Sequence, residues 1–189
     1  MSHETRTLQQ RPEFRAEAER RTIVGYAAVF GSTADIGGHF REIIAPGAFS
    51  GAVNGDVRAL VDHDRGRVIG RTTAGTLRLK EDARGLAVEI DLPDTTDGRD
   101  LAVLLERGDI NGMSFGFVVT KQTWDETGEI PTRTIEAVDL HEVSVVAFPA
   151  YDDTSIALRS LKHAREQRNF SAAAMRLRMK QHLDLRVRR

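Results

Sequence analysis

Residues 75–92 read GTLRLKEDARGLAVEIDL, and this stretch decides the fold class. Thr76-Leu77-Arg78-Leu79 and Leu86-Ala87-Val88-Glu89-Ile90 alternate partly between apolar and polar side chains, the period of strands with one buried face. The four residues between them, EDAR, make a connection of hairpin length. The same grammar continues outward. Upstream, TIVGYAAVF (22–30) and FREII (40–44) read as strands joined by the turn-rich GSTADIGG, and VRALVDH (57–63) reads as another. Pro46 to Phe49 suits a short helical turn, with proline where its missing N–H does no harm. Downstream, MSFGFVVT (113–120) reads as a strand and TIEAVDLHEVSVVAF (134–148) as one or two, with Trp124 and DETGEIP in a loop between them. One firm helix is predicted over Asp97 to Arg107: Thr95 or Thr96 can cap it, Leu101, Leu104 and Leu105 form its stripe, and Gly108 can end it. Seven or eight strands and one helix predict a β-rich α+β domain, a closed or nearly closed β-barrel of about seven strands flanked by helices.

The chain has 189 residues, enough for one domain and a modest appendage. Its formal charge of −1 hides a split: residues 1–159 hold 18 Lys+Arg against 26 Asp+Glu, whereas residues 160–189 hold 9 against 2. The expected organisation is a flexible N-terminal arm over 1–20, an acidic domain over 21–159 and a basic, helical or flexible tail over 160–189. No stretch approaches the ~18 apolar residues of a membrane-spanning helix, and the first residues are charged rather than signal-like. With no cysteine, a thiol nucleophile and a Cys-ligated zinc are excluded. No Gly-rich phosphate loop opens a helix. His63 and Asp64 with His39 would be the only nucleus of a metal site, so no cofactor or metal is expected. The basic tail has one Phe and no aromatic interleaving, which disfavours nucleic acid as a partner.

Gly112-Met113-Ser114-Phe115-Gly116 matches the G-x-S-x-G pattern, but the nucleophile elbow needs a strand before the serine and a helix after it. Here the order is reversed, so an α/β-hydrolase esterase is disfavoured and Ser114 is a nucleophile candidate at the start of a strand. A serine hydroxyl needs a base, and His suits that task. His3, His163 and His182 lie near the chain ends and His39 beside a Gly-rich turn. His63 ends an apolar run and is flanked by Asp62 and Asp64, although the same three residues can simply begin a polar turn. A third residue should orient the imidazole. Glu142 and His141, neighbours on a predicted strand, point to opposite faces, and periodicity does not decide between them. Glu142 can equally be an ordinary strand carboxylate.

Taken together, VDHDRGRVIGRT, GTLRLKEDARGLAVEIDLPDT, GRDL, RGDINGMSFGF and DLHEVSVVAFPAYDDT, in this order, resemble the prohead (capsid maturation) proteases of tailed bacteriophages, a family similar in fold and role to the herpesvirus assemblins. The resemblance runs from about Arg21 to Ser160. It implies a serine endopeptidase that acts inside the prohead on the scaffolding protein or on scaffold-like segments of the major capsid protein, and finally on itself. It maps the histidine, serine and acid of the family onto His63, Ser114 and Glu142. The assemblins have a second histidine as third member, which keeps His141 in view, and their activation by dimerisation suggests a homodimer. They also use an arginine pair after that member. Residues 147–154 hold no Arg, leaving Arg67 and Arg71 as side-chain candidates for the oxyanion and backbone N–H groups near Ser114 as the main-chain ones. The basic tail is expected to recruit the enzyme to acidic scaffold or capsid segments, with self-cleavage near Ser171 to Ala174. The competing reading is a non-catalytic, scaffold-binding structural β-barrel of the capsid.

Overall fold

The computed structural model describes residues 3–17, 20–148, 161–162, 165–166, 169–170 and 175–176. In chain order the strands are β1 (Glu4–Leu8), β2 (Glu13–Glu17), β3 (Arg20–Val29), β4 (Thr33–Ile36), β5 (Phe40–Ile44), β6 (Arg58–Val61), β7 (Asp64–Arg71), β8 (Leu77–Glu81), β9 (Gly85–Asp91), β10 (Gly112–Asp125) and β11 (Thr132–Val146). Within residues 3–148 the α-helix is α1, Thr96–Arg107.

These strands build two sheets rather than a closed barrel. The four-stranded sheet runs β2-β3-β9-β8, and its β8-β9 hairpin is the one decided by residues 75–92. The seven-stranded sheet is organised by β10 and β11, 14 and 15 residues long and antiparallel along their length. The far edge of β11 is shared by two parallel partners, β5 at Thr132–Ile135 and β6 at Glu142–Val145. The sheet therefore branches at β11 instead of continuing round to close on itself. β1 lies outside β10, β4 outside β5, and β7 beside β6.

The apolar faces supply the core. Met113, Phe115 and Phe117 of β10 and Val143 and Val145 of β11 join Ile23, Leu86, Val88 and Ile90 of the other sheet in one buried cluster. Phe115 stacks on Phe117 and meets Phe49 edge-on, and burial of each such side chain stabilises by about 1.5–3 kcal/mol. Helix α1 adds Leu101 and Leu105, on the face it buries with Gly98 and Ala102. Thr95 caps it by accepting the Gly98 N–H at 3.2 Å, and Gly108, left-handed at φ 83°, ends it.

Several elements differ from the sequence expectation. GSTADIGG contains β4, because Thr33–Ile36 finds an antiparallel partner in β5. Pro46 to Asn54 forms successive turns rather than a helical one, held by Glu81, whose carboxylate accepts the N–H groups of Gly47 and Phe49. Trp124 lies in β10 opposite Arg133, not in a loop, and packs edge-on against Phe40.

Residues 1–20 are not merely a flexible arm, since they contribute β1 and β2. The reason lies in charges that the sequence scatters far apart. Arg6 pairs with Glu42 (2.6 Å) and Glu4 (2.8 Å), and Arg133 with Glu4 (2.8 Å) and Glu42 (2.9 Å). All four side chains are at least nine-tenths buried, and two cations against two anions leave no net charge in the core. Burial alone would raise the Glu4 carboxyl, but the hydrogen bonds and charges of Arg133 and Arg6 outweigh it and hold Glu4 below its ordinary value. The cluster ties β1 to β5 and β11.

The chain divides into two units, 1–153 and 154–189. In the basic tail, residues 161–162, 165–166, 169–170 and 175–176 are helical. The expected cleavage region at Ser171 to Ala174 lies outside the described residues.

Candidate active site

The two-residue turn Asp62-His63 joins β6 to β7, with Val61 opposite Asp64. Both turn residues have positive φ, 48° for Asp62 and 60° for His63. Tight hairpins demand this of their central pair, usually met by Asn-Gly. Left-handed backbone costs a non-glycine residue roughly 1–2 kcal/mol, so the turn needs holding, and β11 with the residue after it holds it three ways. Asp62 N–H donates to Val145 O at 3.0 Å, Ala147 N–H donates to Asp62 Oδ1 at 3.0 Å, and His63 N–H donates to Ser144 Oγ at 3.2 Å. His63 thus stands beyond the end of β6 rather than closing it. It belongs to a turn, as the plainer sequence reading allowed, yet its side chain faces the site.

An irregularity in the β10–β11 ladder separates His141 from Glu142. Gly116 opposes Glu142 and the next residue, Phe117, opposes Leu140, so His141 is the extra residue of a bulge and is exposed. Glu142 instead lies on the face that carries Ser144 and, across the ladder, Ser114 and Gly116. Its Oε1 is 2.7 Å from His63 Nδ1, and its Oε2 accepts a 2.6 Å hydrogen bond from Ser144 Oγ. Gly116 makes room for it: a Cβ there would overlap Glu142 Oε1 and stand 2.7 Å from His3 Cε1. With Nδ1 protonated and donating to Glu142, His63 Nε2 carries the lone pair. That atom is buried and has no hydrogen-bond partner among the described residues.

Ser114 is fully buried on β10, opposite Thr7 of β1 on one side and Ser144 of β11 on the other. Its hydroxyl donates to Arg6 O at 2.8 Å and accepts from Thr7 Oγ1 at 3.1 Å. His63 and Glu142 are therefore in direct contact, whereas Ser114 makes no hydrogen bond to the imidazole. It lies on their face all the same. Directly opposed antiparallel residues have Cα atoms about 4.5–5.5 Å apart, and Ser144, opposite Ser114, is the residue that holds the His63 backbone.

A cleft of about 700 Å³ opens beside the dyad, lined by His3, Arg58, His63, Arg65, His141 and Glu142 among others. Desolvation and the neighbouring His141 push the His3 imidazole below its ordinary value, so His3 favours its neutral form there. Neither arginine considered for the oxyanion lines this cleft: Arg71 is engaged by Asp56 at 2.7 Å and Arg67 by Asp97 at 3.3 Å. Around Ser114, β10 is paired with β1 on one side and β11 on the other from Met113 to Phe117, with an irregularity toward β11 between Gly116 and Phe117. His39 sits in the β4–β5 turn. Sequence reasoning gave no role to Ser144 or Asp62. The spacing Glu142-x-Ser144 places both side chains on one strand face and was a usable signal for the first.

Residues 7–168 match the family described as caudovirus prohead serine protease. The chain belongs to this family. A prohead protease of Enterobacteria phage HK97 is 33% identical over 150 residues, which cover 77% of this chain and 63% of that protein. The chain thus spans somewhat under two thirds of the length of that curated relative. Among solved structures, the bacteriophage T4 capsid assembly protease superposes with a TM-score of 0.56 at 12% identity, covering 78% of this chain and 98% of that one. At that identity the likeness concerns the fold. Two sheets with α1 are thus the form this prohead serine protease family takes within residues 3–148, and the family is one of serine peptidases.

Proposed function

We propose that this chain is a serine endopeptidase of capsid maturation, with Ser114 as nucleophile, His63 as general base and acid, and Glu142 as the carboxylate that orients and charge-stabilises His63. The observation that carries the reading is the 2.7 Å contact between His63 Nδ1 and Glu142, which leaves a buried Nε2 lone pair on the sheet face that also bears Ser114.

In this mechanism Ser114 Oγ gives up its bond to Arg6 O and turns its proton toward His63 Nε2. As Oγ attacks the scissile carbonyl, the proton passes to Nε2 and the carbonyl π electrons move to the oxygen. Glu142, with its second oxygen held by Ser144, stabilises the imidazolium. Collapse of the tetrahedral intermediate breaks the C–N bond, and His63 returns the proton to the leaving amine. Water, deprotonated by the same imidazole, then releases the acyl group and restores Ser114.

The substrates that fit this reading are the scaffolding protein or scaffold-like segments of the major capsid protein inside the prohead, together with the chain itself. The basic tail over 160–189 is the element proposed to bring the enzyme to acidic segments of those partners. One observation favours the other reading, a scaffold-binding structural protein without catalysis: the Ser114 hydroxyl is buried against β1.

Co-expression of Ser114→Ala with the capsid and scaffolding proteins separates the two. Persistence of uncleaved scaffold and full-length protease, against processing by the unsubstituted chain, supports the peptidase. Equal processing by both chains refutes it.

A further inference from the structure

Besides His63 and Glu142, one further side chain is bound into their hydrogen-bond network, and it is completely buried. Ser144 sits two residues after Glu142 on β11, directly opposite Ser114, with no exposed surface. Its single hydroxyl does two things at once. It donates to Glu142 Oε2 at 2.6 Å, and it accepts the His63 backbone N–H at 3.2 Å. Glu142 Oε1 is thereby left for His63 Nδ1. A three-membered ring of contacts results, running from the His63 main chain through Ser144 and Glu142 back to the His63 imidazole.

We propose that Ser144 is a positioning residue of this site: it sets the rotation of the Glu142 carboxylate and anchors the left-handed His63 turn, so that base and carboxylate form one rigid unit. The proposal rests on the triad assignment above and adds to it. Two physical points favour it. A carboxylate on a strand face can rotate about its last torsion, which is broad, and a donor fixed to Oε2 removes that freedom. His63 also lies in a backbone conformation unfavourable for its residue type, so a hydrogen bond to its N–H bears directly on where the ring stands. Ser144 is not itself a competing nucleophile here, because its proton is committed to Glu142 rather than to an imidazole nitrogen.

The test uses the full chain and a fluorophosphonate, which forms an Oγ–P bond on an activated serine with loss of fluoride while the base takes the serine proton. Ser144→Ala should lower the labelling rate constant by about 10- to 100-fold, the size typical when a residue orienting a first-contact group is lost. The half-saturating probe concentration should stay unchanged, because Ser144 does not line the cleft. Ser144→Thr, which keeps the hydroxyl, should restore most of the rate. Full-rate labelling of Ser144→Ala, or equal losses in the Ala and Thr variants, overturns the proposal.

Ser114→Ala, run in parallel, distinguishes the two levels of inference. If labelling of the unsubstituted chain does not depend on Ser114, the triad reading fails and the Ser144 role with it. If labelling depends on Ser114 but is indifferent to Ser144, only the positioning role fails. Should Ser144→Ala not fold, hydrogen exchange of the unsubstituted chain decides: the His63 amide, though in a turn, should be strongly protected, and rapid exchange there overturns the proposal.

Discussion

The Glu142 carboxylate occupies the space into which a side chain at Gly116 would project. The two residues are cross-strand neighbours in the β10–β11 ladder, so this is a backbone-level fit and not a chance approach of flexible groups. The second glycine of G-x-S-x-G has a role here unrelated to a nucleophile elbow: it leaves a hollow for the residue that holds the imidazole. Gly116→Ala should therefore displace Glu142 and break its bond to His63. Processing of co-expressed capsid protein should fall by about 10- to 100-fold while circular dichroism keeps its β-rich form. A Cβ at Gly112 meets Val146 Cγ2 at 3.1 Å and the Leu8 and Val146 carbonyl oxygens at an ordinary 3.5 Å, so Gly112→Ala should cost much less; equal losses at the two positions would count against this account.

Glu142→Gln keeps the size of the side chain but removes its charge and its obligatory acceptor character. The amide that replaces the carboxylate can then present an N–H toward His63 Nδ1 and favour the wrong tautomer. By the behaviour of other triads with an amide in this place, the fall in turnover should be of the order of 10⁴. Thermal stability should change little by comparison, and the pair of readings, turnover against melting temperature, checks the role.

How much of this was legible in the sequence depended on whether the signal was local. The β8-β9 hairpin and α1 rest on periodicity, turn length and caps close by in the chain, and they formed as read. β1 could not be read, because the partners of Arg6 and Glu4 include Glu42 and Arg133, far along the chain, and Glu4-Thr5-Arg6-Thr7 looks solvated without them. The barrel failed for a related reason: two parallel strands share one edge of β11, and nothing in the alternation of apolar residues announces which strand pairs with which. At the site, the residue types were visible but His141 and Glu142 were not separable. A bulge shifts the alternation by one residue at that very place, and bulges leave no periodic trace.

Asp62 shows how a turn can be selected for what it holds. Its carboxylate accepts the Ala147 N–H while its backbone takes a φ of 48°. Asp62→Asn keeps an acceptor and suits the left-handed region, so both stability and processing should stay close to those of the unsubstituted chain. Asp62→Ala loses the acceptor and keeps the strain. It should destabilise the fold by about 0.5–1.5 kcal/mol, the net worth of a typical hydrogen bond, and slow processing, because the displaced turn carries His63. Urea melts of the two variants, compared with their processing rates, test the link between the turn and the site.

The buried charge cluster that anchors β1 makes a last prediction, on both sequence and pH. Arg133→Met removes one cation and leaves Glu4 and Glu42 facing Arg6 alone, an uncompensated negative charge in the core, so the loss should be about 3–5 kcal/mol. In the unsubstituted chain the same cluster gives a pH window whose sign is fixed by Glu4. Its folded pKa lies below the ordinary 4.5, so between those two values the unfolded chain binds more protons than the folded one, and stability rises with pH. The contribution is complete above about pH 4.5 and is lost as pH falls through the lower, folded value. Urea midpoints between about pH 6 and pH 3 should therefore decline below about pH 4.5, with the amides of Glu4–Leu8 losing exchange protection first. In Arg133→Met the acid decline attributable to Glu4 should shrink, because the cation that chiefly holds the carboxylate ionised is gone. An acid decline of unchanged size in that variant would mean that the cluster is not what secures the strand against which Ser114 is packed.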